Sequence, residues 1–292
     1  MQNPKETWLF EIKPKNSLFN LNLKEVWQYR DLLLLFVKRD VVTVYKQTIL
    51  GPLWYLIQPL FTSITFTLIF NNIANIETGV VPAFLFNLAG ITVWNYFRDC
   101  LMATSDTFTR NAGIFGKVYF PRIIMPMSVV VSNLLKFGIQ LFIFTLFYII
   151  YIVKGAVISP NATIVFFPIL VLFMGMLGLG LGMIISSMVT KYRDLKFLMS
   201  FAVQLLMYVS VVMYPLSLIT QKISEGKIPQ FVGDIIIYNP MTQVIESARY
   251  MLLNEGSFSY LGFLYTGVVS SVVLLLGLVI FNKTEKSFID TV

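Results

Sequence analysis

Three polar residues, Asn133, Lys136 and Gln140, interrupt a long apolar segment at spacings of three and four residues. In an α-helix these spacings place the side chains on one face. An ionisable residue inside a membrane helix usually faces a helix-bundle interior or a wet cavity, and it often marks a transport path. Lys136 is therefore a candidate for substrate contact. The alternative is a lysine that is paired for packing, or one that extends its amine to the membrane surface.

The residue types that carry most enzymatic chemistry are scarce in this chain. Histidine is absent and there is one cysteine, Cys100, which removes the commonest general base and metal ligand. The acids predicted to lie outside the membrane, Glu77, Glu225, Asp234, Glu246 and Glu255, have no ligand-like spacing. We therefore expect neither a metal site nor an enzyme. An intramembrane glycosyl- or phosphotransferase is the enzyme alternative.

The sequence has no phosphate-binding loop of the form GxxxxGK[ST]. The nearest segment, "GIFGKVYF" at residues 113–120, lacks both the spacing and the Ser or Thr. We expect no cofactor in this chain. If transport uses ATP, then ATP and Mg²⁺ bind a separate partner.

Composition favours an integral membrane protein. Of the 292 residues, 57% are hydrophobic and 13% are charged, against roughly 25% charged in soluble domains, and the mean hydropathy is +0.75. The net charge of +7 is explained better by basic cytoplasmic loops than by nucleic-acid binding.

Six segments are long enough to span a bilayer, which takes about 20 apolar residues. They are 50–71, 83–108, 124–153, 163–188, 197–219 and 258–281. With both termini inside, 16 of the 22 Lys and Arg residues fall in inner segments and four in outer ones. This positive-inside bias predicts a multi-pass membrane protein with both termini cytoplasmic.

Several segments lie outside these spans. Residues 1–49 form a cytoplasmic N-terminus whose mixed apolar and basic pattern predicts an amphipathic helix in the membrane interface. Residues 109–123 form an inner loop, residues 220–257 an outer connection with short helices, and residues 282–292 a cytoplasmic tail. Within the fourth span, Gly178, Gly182 and Ser186 recur every four residues, which predicts close helix packing.

Several stretches, in order along nearly the whole chain, resemble the membrane subunits of ABC-2 type exporters of polysaccharide and polyol phosphate. They include "RDVVTVYKQTILGPLWYLIQPL", "WNYFRDCLMATSDTFTRNAGIFGKVYFPRIIMP" and "YNPMTQVIESARYMLL". These exporters are the permeases for O-antigen, capsule and teichoic acid. The resemblance implies an all-α membrane fold with six transmembrane helices, an N-terminal interface helix and external gate helices between spans five and six.

The resemblance also implies partners. It predicts a homodimer, two copies of a separate nucleotide-binding subunit, and a substrate linked to an undecaprenyl-diphosphate-type lipid. ATP and Mg²⁺ would lie on the nucleotide-binding subunit. The alternatives are a transporter or channel that works without ATP, or an ABC-2 exporter of another amphiphile.

Three groups of site residues follow from the resemblance. The expected ATPase-coupling residues are Arg110, Asn111, Lys117, Tyr119, Phe120, Pro121 and Arg122. The expected translocation path comprises Trp54, Tyr55, Gln58, Phe61, Gln204, Tyr208 and Tyr214, and we add Lys136 because it lies within a span. The expected external gate comprises Asn239, Pro240, Glu246 and Arg249. An inner loop with three cations and a Phe-Pro-Arg sequence is also a compact handle for a soluble partner.

Overall fold

The computed structural model describes residues 23–46, 51–115, 120–192 and 194–288, which are helical and contain no strand. The α-helices are α1 (Leu23–Gln28), α2 (Arg30–Lys46), α3 (Trp54–Phe66), α4 (Ala83–Ser105), α5 (Thr107–Phe115), α6 (Ile124–Val153), α7 (Phe167–Lys191), α8 (Leu195–Val209), α9 (Leu216–Ser224), α10 (Gln230–Ile237), α11 (Pro240–Leu253) and α12 (Tyr260–Phe288).

Each of the six predicted spans contains an α-helix. Among the described residues, four helical segments are long and apolar enough to cross a membrane: Trp54–Ile73, Ile124–Val153, Ala162–Lys191 and Tyr260–Thr284. The other two are α4, which carries Arg98 and Asp99, and α8, whose 15 residues extend only about 22 Å. Six spans remain the prediction for the whole chain.

Helix α4 lies at the centre of the bundle and is buried along most of its length. It packs against α3, α6, α7 and α11. Its two charged residues, Arg98 and Asp99, form a salt bridge at 2.9 Å on the partly exposed side. Thus α4 contacts protein around most of its circumference, and these contacts position α3, α6 and α11, which carry the candidate site residues.

Glycines in α7 allow the closest helix contacts. A Cβ atom on Gly178 would lie 2.7 Å from Cys100 Cβ of α4, and one on Gly182 would lie 2.5 Å from Thr104 Cβ of the same helix. The predicted close packing of this glycine face is therefore confirmed. On another face of α7, Gly180 contacts the backbone of α12 at Gly277.

Three helix boundaries differ from the predicted spans. The first span ends in a π-helical segment, Thr67–Ile73. The second span was predicted to reach residue 108, but α4 ends at Ser105 and α5 begins at Thr107, within the predicted inner loop. The Thr107 hydroxyl donates to the Thr104 carbonyl at 2.7 Å, and such local bonds compete with the helical pattern.

The fifth span was predicted to end at residue 219, but α8 ends at Val209. The chain turns sharply at Val211, whose φ of +49° is left-handed, a conformation that costs about 1–2 kcal/mol for a residue with a Cβ. A new helix, α9, then begins at Leu216. Tertiary contacts described below hold this break, and they are not visible in local hydropathy.

Candidate functional site

The predicted path residues of α3 and α8 lie on poorly covered helix faces. Trp54, Gln58 and Phe61 on α3 are exposed, as are Gln204 and Tyr208 on α8. Within the described residues of α8, the one fully buried side chain is Val203. Helices α3 and α8 therefore present apolar and aromatic faces that this single chain does not cover.

Two pairs of predicted path residues come together. The Lys136 Nζ atom lies 5.2 Å from the centre of the Tyr55 ring, which places the amine in a cation–π arrangement. The Tyr214 hydroxyl donates to the Tyr208 carbonyl at 2.6 Å. Tyr214 belongs to the break after α8 rather than to a span, so its ring is half-buried against the end of that helix.

A cavity of about 190 Å³ lies at the end of the bundle where α2, α3, α4, α5 and α6 meet. Its polar lining residues are Asp40, Tyr55, Arg110, Ser132, Asn133 and Lys136. The structure thus brings Lys136 and Asn133 to one surface, as the sequence spacing predicted. We refer to this space as the α2–α6 cavity.

Gln140, the third member of the predicted polar face, is buried one turn further along α6 and does not line the α2–α6 cavity. Its Oε1 atom has no hydrogen-bond donor among the described residues. The polar face is therefore continuous in sequence but divided in space. Asn133 and Lys136 reach the cavity, whereas Gln140 lies in the protein interior.

The predicted coupling residues are mostly turned inward. Arg110 is exposed at the end of α5, whereas Asn111 is buried and donates to the Thr107 carbonyl at 2.9 Å. The Pro121 carbonyl accepts from the Ile124 N–H at 3.0 Å and so helps to start α6. Lys117 and Tyr119 lie outside the described residues.

An aromatic cluster connects this segment to α2, the predicted interface helix. The Phe120 ring lies 5.8 Å from Phe36 of α2 and 5.9 Å from Phe115 of α5, measured between ring centres. Buried Arg122 lies over the Phe115 ring at 5.3 Å. Phe36 was not singled out in the sequence, where it is one apolar residue in the run "LLLLFV". Together these contacts join the segment after α5 rigidly to α2.

The predicted gate residues Asn239 and Pro240 start α11. The Asn239 side chain accepts from the Met241 N–H at 3.0 Å, an N-cap, and Pro240 occupies the first turn, where its missing N–H costs nothing. The Asn239 amide also donates to the Ser210 hydroxyl at 2.9 Å. The start of α11 is therefore bonded directly to the break after α8.

Arg249 of α11 is fully buried, with 0% of its surface exposed. Its guanidinium donates to the carbonyl oxygens of Val211 at 2.8 Å, Val212 at 2.6 Å and Tyr214 at 3.3 Å. It also lies 3.4 Å from the carboxylate of Glu246. One side chain thus bonds three backbone carbonyls in the break between α8 and α9.

The charges of Glu246 and Arg249 depend on each other. Burial raises the pKa of the Glu246 carboxyl, and the neighbouring Arg249 charge opposes that rise. Burial lowers the pKa of Arg249 to about 10, so the guanidinium stays charged at neutral pH. The Leu216 N–H donates to the Glu246 carboxylate at 3.4 Å, which connects the pair to the first turn of α9.

Two residues of α4 complete this buried site, and neither was predicted. The Arg249 guanidinium stacks 3.6 Å from the centre of the Phe86 ring. A Cβ atom on Gly90 would lie 2.6 Å from Arg249 Nη2 and 2.8 Å from the Val212 carbonyl. Gly90 is thus required for the close approach. A glycine within an apolar span was the available signal for it, whereas Phe86 carried none.

Within the described ranges, no group of three or more His, Cys, Asp or Glu side chains is gathered in a way that could hold a metal ion.

Comparison with known proteins relates the whole arrangement to one class of membrane protein. Residues 31–253 match the family profile described as ABC-2 type transporter. The chain is 28% identical to an O-antigen export system permease protein RfbA of Klebsiella pneumoniae over 263 residues, covering 89% of this chain and 94% of that protein. A second RfbA permease from the same organism is 27% identical over 264 residues, covering 89% of this chain and 94% of that protein. The RfbA permease of Myxococcus xanthus is 25% identical over 270 residues, with 92% and 98% coverage.

Proposed function

This chain belongs to the ABC-2 type transporter family, and we propose that it is the permease of an ATP-driven exporter of a lipid-linked polysaccharide. The main support for this proposal is that the chain is similar, over at least 89% of its length, to three proteins named as O-antigen export permeases. The family match at residues 31–253 includes α2, the first five predicted spans and the outer helices. The exported polymer would be an O-antigen-like, capsule-like or teichoic-acid-like glycan on an undecaprenyl-diphosphate-type lipid.

The protein is a multi-pass membrane protein. We place it in the bacterial cytoplasmic membrane with both termini in the cytoplasm, because basic residues concentrate in the segments assigned to that side. In this orientation α2, α5 and the α2–α6 cavity lie towards the cytoplasm. The short helices α9 to α11 lie towards the outside.

A homodimer would cover the exposed faces of α3 and α8. Large contiguous apolar surfaces normally mark contact with protein or lipid, and these faces also carry Gln58 and Gln204, which suit a wet path better than lipid. Trp54, Phe61 and Tyr208 would then line the space between two copies. Aromatic faces suit a glycan because the apolar C–H surfaces of sugars stack on rings while the hydroxyl groups remain hydrated.

Energy would come from two copies of a separate ATPase subunit, which would bind ATP and Mg²⁺. Exposed Arg110 at the end of α5 is suited to direct contact with that subunit. Phe120 and Arg122 would act differently, because their burial against Phe36 and Phe115 suits them to transmit movement from α5 to α2. The interface helix and the coupling segment would thus move as one body.

The test is export in proteoliposomes that contain the permease, its ATPase partner and a fluorescent lipid-linked glycan. Phe61→Ala should lower ATP-dependent export at least severalfold, because Phe61 would lie on the path. Phe142→Ala is the matched control: Phe142 on α6 is 70% exposed against 67% for Phe61, but it lies outside the proposed path. Equal export by the two variants would contradict the path, and export driven by an ion gradient without the ATPase would contradict the function.

A further inference from the structure

The α2–α6 cavity has the chemistry of an anion site. Lys136 contributes an ammonium group, Arg110 a guanidinium and Asn133 an amide N–H₂, and all of these groups are hydrogen-bond donors. Asn133 is only 3% exposed, and its Nδ2 atom has no oxygen or nitrogen acceptor among the described residues. Its described neighbour is the Cys100 side chain, whose sulfur is a weak acceptor. Because the amide has two N–H donors and buried donors are rarely left without a partner, a ligand in the cavity could supply the missing acceptor.

The acids of this region are already paired with other cations. Asp40, which lines the cavity, accepts two bonds from Arg39 at 2.9 and 3.0 Å. Asp99 is bonded to Arg98 at 2.9 Å. Lys136 forms no salt bridge with a described residue.

The remaining nearby acid, Asp106, is bonded to Lys196 at 2.8 Å, and Arg110 too forms no salt bridge with a described residue. Two cations therefore face the cavity without acidic partners of their own.

The mouth of the cavity points to a lipid rather than a free anion. Leu135 both lines the cavity and is 52% exposed, and Val131 and Leu134 extend the same exposed apolar strip along α6. On the other side, exposed Trp54 of α3 lies next to Tyr55 in sequence. An amphiphile could place its anionic head in the cavity and its hydrocarbon chain along these surfaces.

The cavity has room for a group much larger than a water molecule. About 190 Å³ is far more than the roughly 10–15 Å³ that one water needs. The interface helix α2 forms one wall, so the site lies near the predicted cytoplasmic surface, where lipid headgroups are found.

We propose that the α2–α6 cavity binds the phosphate-bearing headgroup of an inner-leaflet lipid, with Lys136 and Asn133 as its principal donors. If the proposed function holds, on which this assignment of the lipid rests, the ligand is the diphosphate of the carrier that holds the glycan. Tyr55 keeps the Lys136 ammonium at the mouth of the cavity through the ring contact at 5.2 Å. Arg110 would provide the second charge for a diphosphate.

The test measures binding of fluorescent undecaprenyl diphosphate to the purified full-length permease in detergent, without the ATPase. Lys136→Gln should raise the Kd about 10- to 100-fold, the range expected for loss of one charge-assisted hydrogen bond, whereas Lys136→Arg should bind nearly as tightly as the wild type. Arg110→Gln should also raise the Kd. Because Arg110 is exposed, this substitution should not disturb folding. Undecaprenol, which has the same tail without the diphosphate, should bind equally weakly to all variants.

Lys154→Gln is the matched control. Lys154 follows the other end of α6 and its Nζ lies 5.8 Å from the Tyr151 ring, so it repeats the Lys136 geometry without the cavity. Its loss should leave the Kd unchanged. Competition experiments identify the source of the headgroup. Undecaprenyl diphosphate should displace the fluorescent probe at lower concentration than phosphatidylglycerol or inorganic diphosphate does. Competition by phosphatidylglycerol at similar concentration would support the headgroup site with bulk phospholipid as its ligand.

Equal Kd values for the wild type, Lys136→Gln and Arg110→Gln would overturn the proposal, and so would displacement of the carrier by inorganic diphosphate alone at lower concentration. The export assay separates this result from the proposed function. Normal ATP-dependent export with no Lys136-dependent binding refutes the site only. Lys136-dependent binding without ATP-dependent export refutes the function and leaves the site standing.

Discussion

Replacement of Arg249 by methionine tests whether one buried guanidinium holds the break between α8 and α9. Methionine keeps an unbranched chain of similar length but removes every donor. The change breaks the bonds to the three backbone carbonyls at 2.8, 2.6 and 3.3 Å. It also removes the partner of the buried Glu246 carboxylate at 3.4 Å.

The expected loss of stability is large because a buried charge is left behind. Removal of one partner of a buried ion pair costs about 3–5 kcal/mol. The Leu216 N–H still donates to Glu246, and so does the Ser257 backbone, so the carboxylate keeps two polar contacts. Release of the left-handed Val211, worth about 1–2 kcal/mol, offsets part of the loss. We therefore expect a net destabilisation of about 3 kcal/mol, at the lower end of the range.

Thermal unfolding of the detergent-purified protein, followed by tryptophan fluorescence, measures the effect, since Trp94 is buried beside this region in α4. At roughly 2–4 °C per kcal/mol for a large domain, Arg249→Met should lower Tm by on the order of 10 °C. The double variant Glu246→Gln/Arg249→Met should regain part of that loss because no charge is stranded.

Arg98→Met is the matched control. Arg98 forms a similarly short ion pair with Asp99, but both side chains are about 30% exposed, and partly exposed pairs contribute only about 0–1 kcal/mol. Its Tm should fall by no more than about 4 °C. If Arg249→Met shifts Tm no more than Arg98→Met does, the guanidinium does not hold the break.

Three further substitutions test the packing. Gly277→Ala should destabilise the protein by about 1–3 kcal/mol, because the new Cβ would overlap the backbone of Gly180 in α7. The measurement is a fall in Tm. An unchanged Tm would mean that α7 and α12 are further apart than described. Phe120→Ala should reduce permease-stimulated ATP hydrolysis by the partner while Tm changes little, because it removes the ring contact with Phe36 of α2. Full stimulation of ATP hydrolysis would argue against transmission through this cluster. Lys196→Ala removes the ion pair between α8 and Asp106 at the end of α4, at 2.8 Å. The free energy of unfolding should change by less than about 1 kcal/mol. A larger change, measured by chemical denaturation, would contradict this prediction.

Much of the helical framework could be predicted because hydropathy is a local property. Each of the six predicted spans contains a helix, and the four-residue recurrence of Gly178 and Gly182 correctly indicated a closely packed face. The helix predicted within the N-terminal segment is present as α1 and α2, which are separated at Tyr29, and its position in the membrane interface stays a prediction. These features could be predicted because they depend on the hydropathy and spacing of residues that are near one another in the chain.

The site was harder to predict because its residues meet across long separations in the chain. Arg249 bonds to Val211, 38 positions away, and its charge suggested an exposed outer helix rather than full burial. The spacing of Asn133, Lys136 and Gln140 gave the correct helix face, but helix periodicity could not reveal that Gln140 lies beyond the cavity. Phe36 likewise could not be distinguished from its apolar neighbours.

The sequence alone determined that this protein is a helical membrane protein of the ABC-2 type, because apolar segment length, the distribution of basic residues and ordered family segments are written along the chain. The tertiary structure decided where α8 stops, which helices enclose the α2–α6 cavity and why Gly90 must be small. Each of these features depends on a buried polar group finding partners from distant segments. Such pairing is a property of the packed bundle, and no single segment contains it.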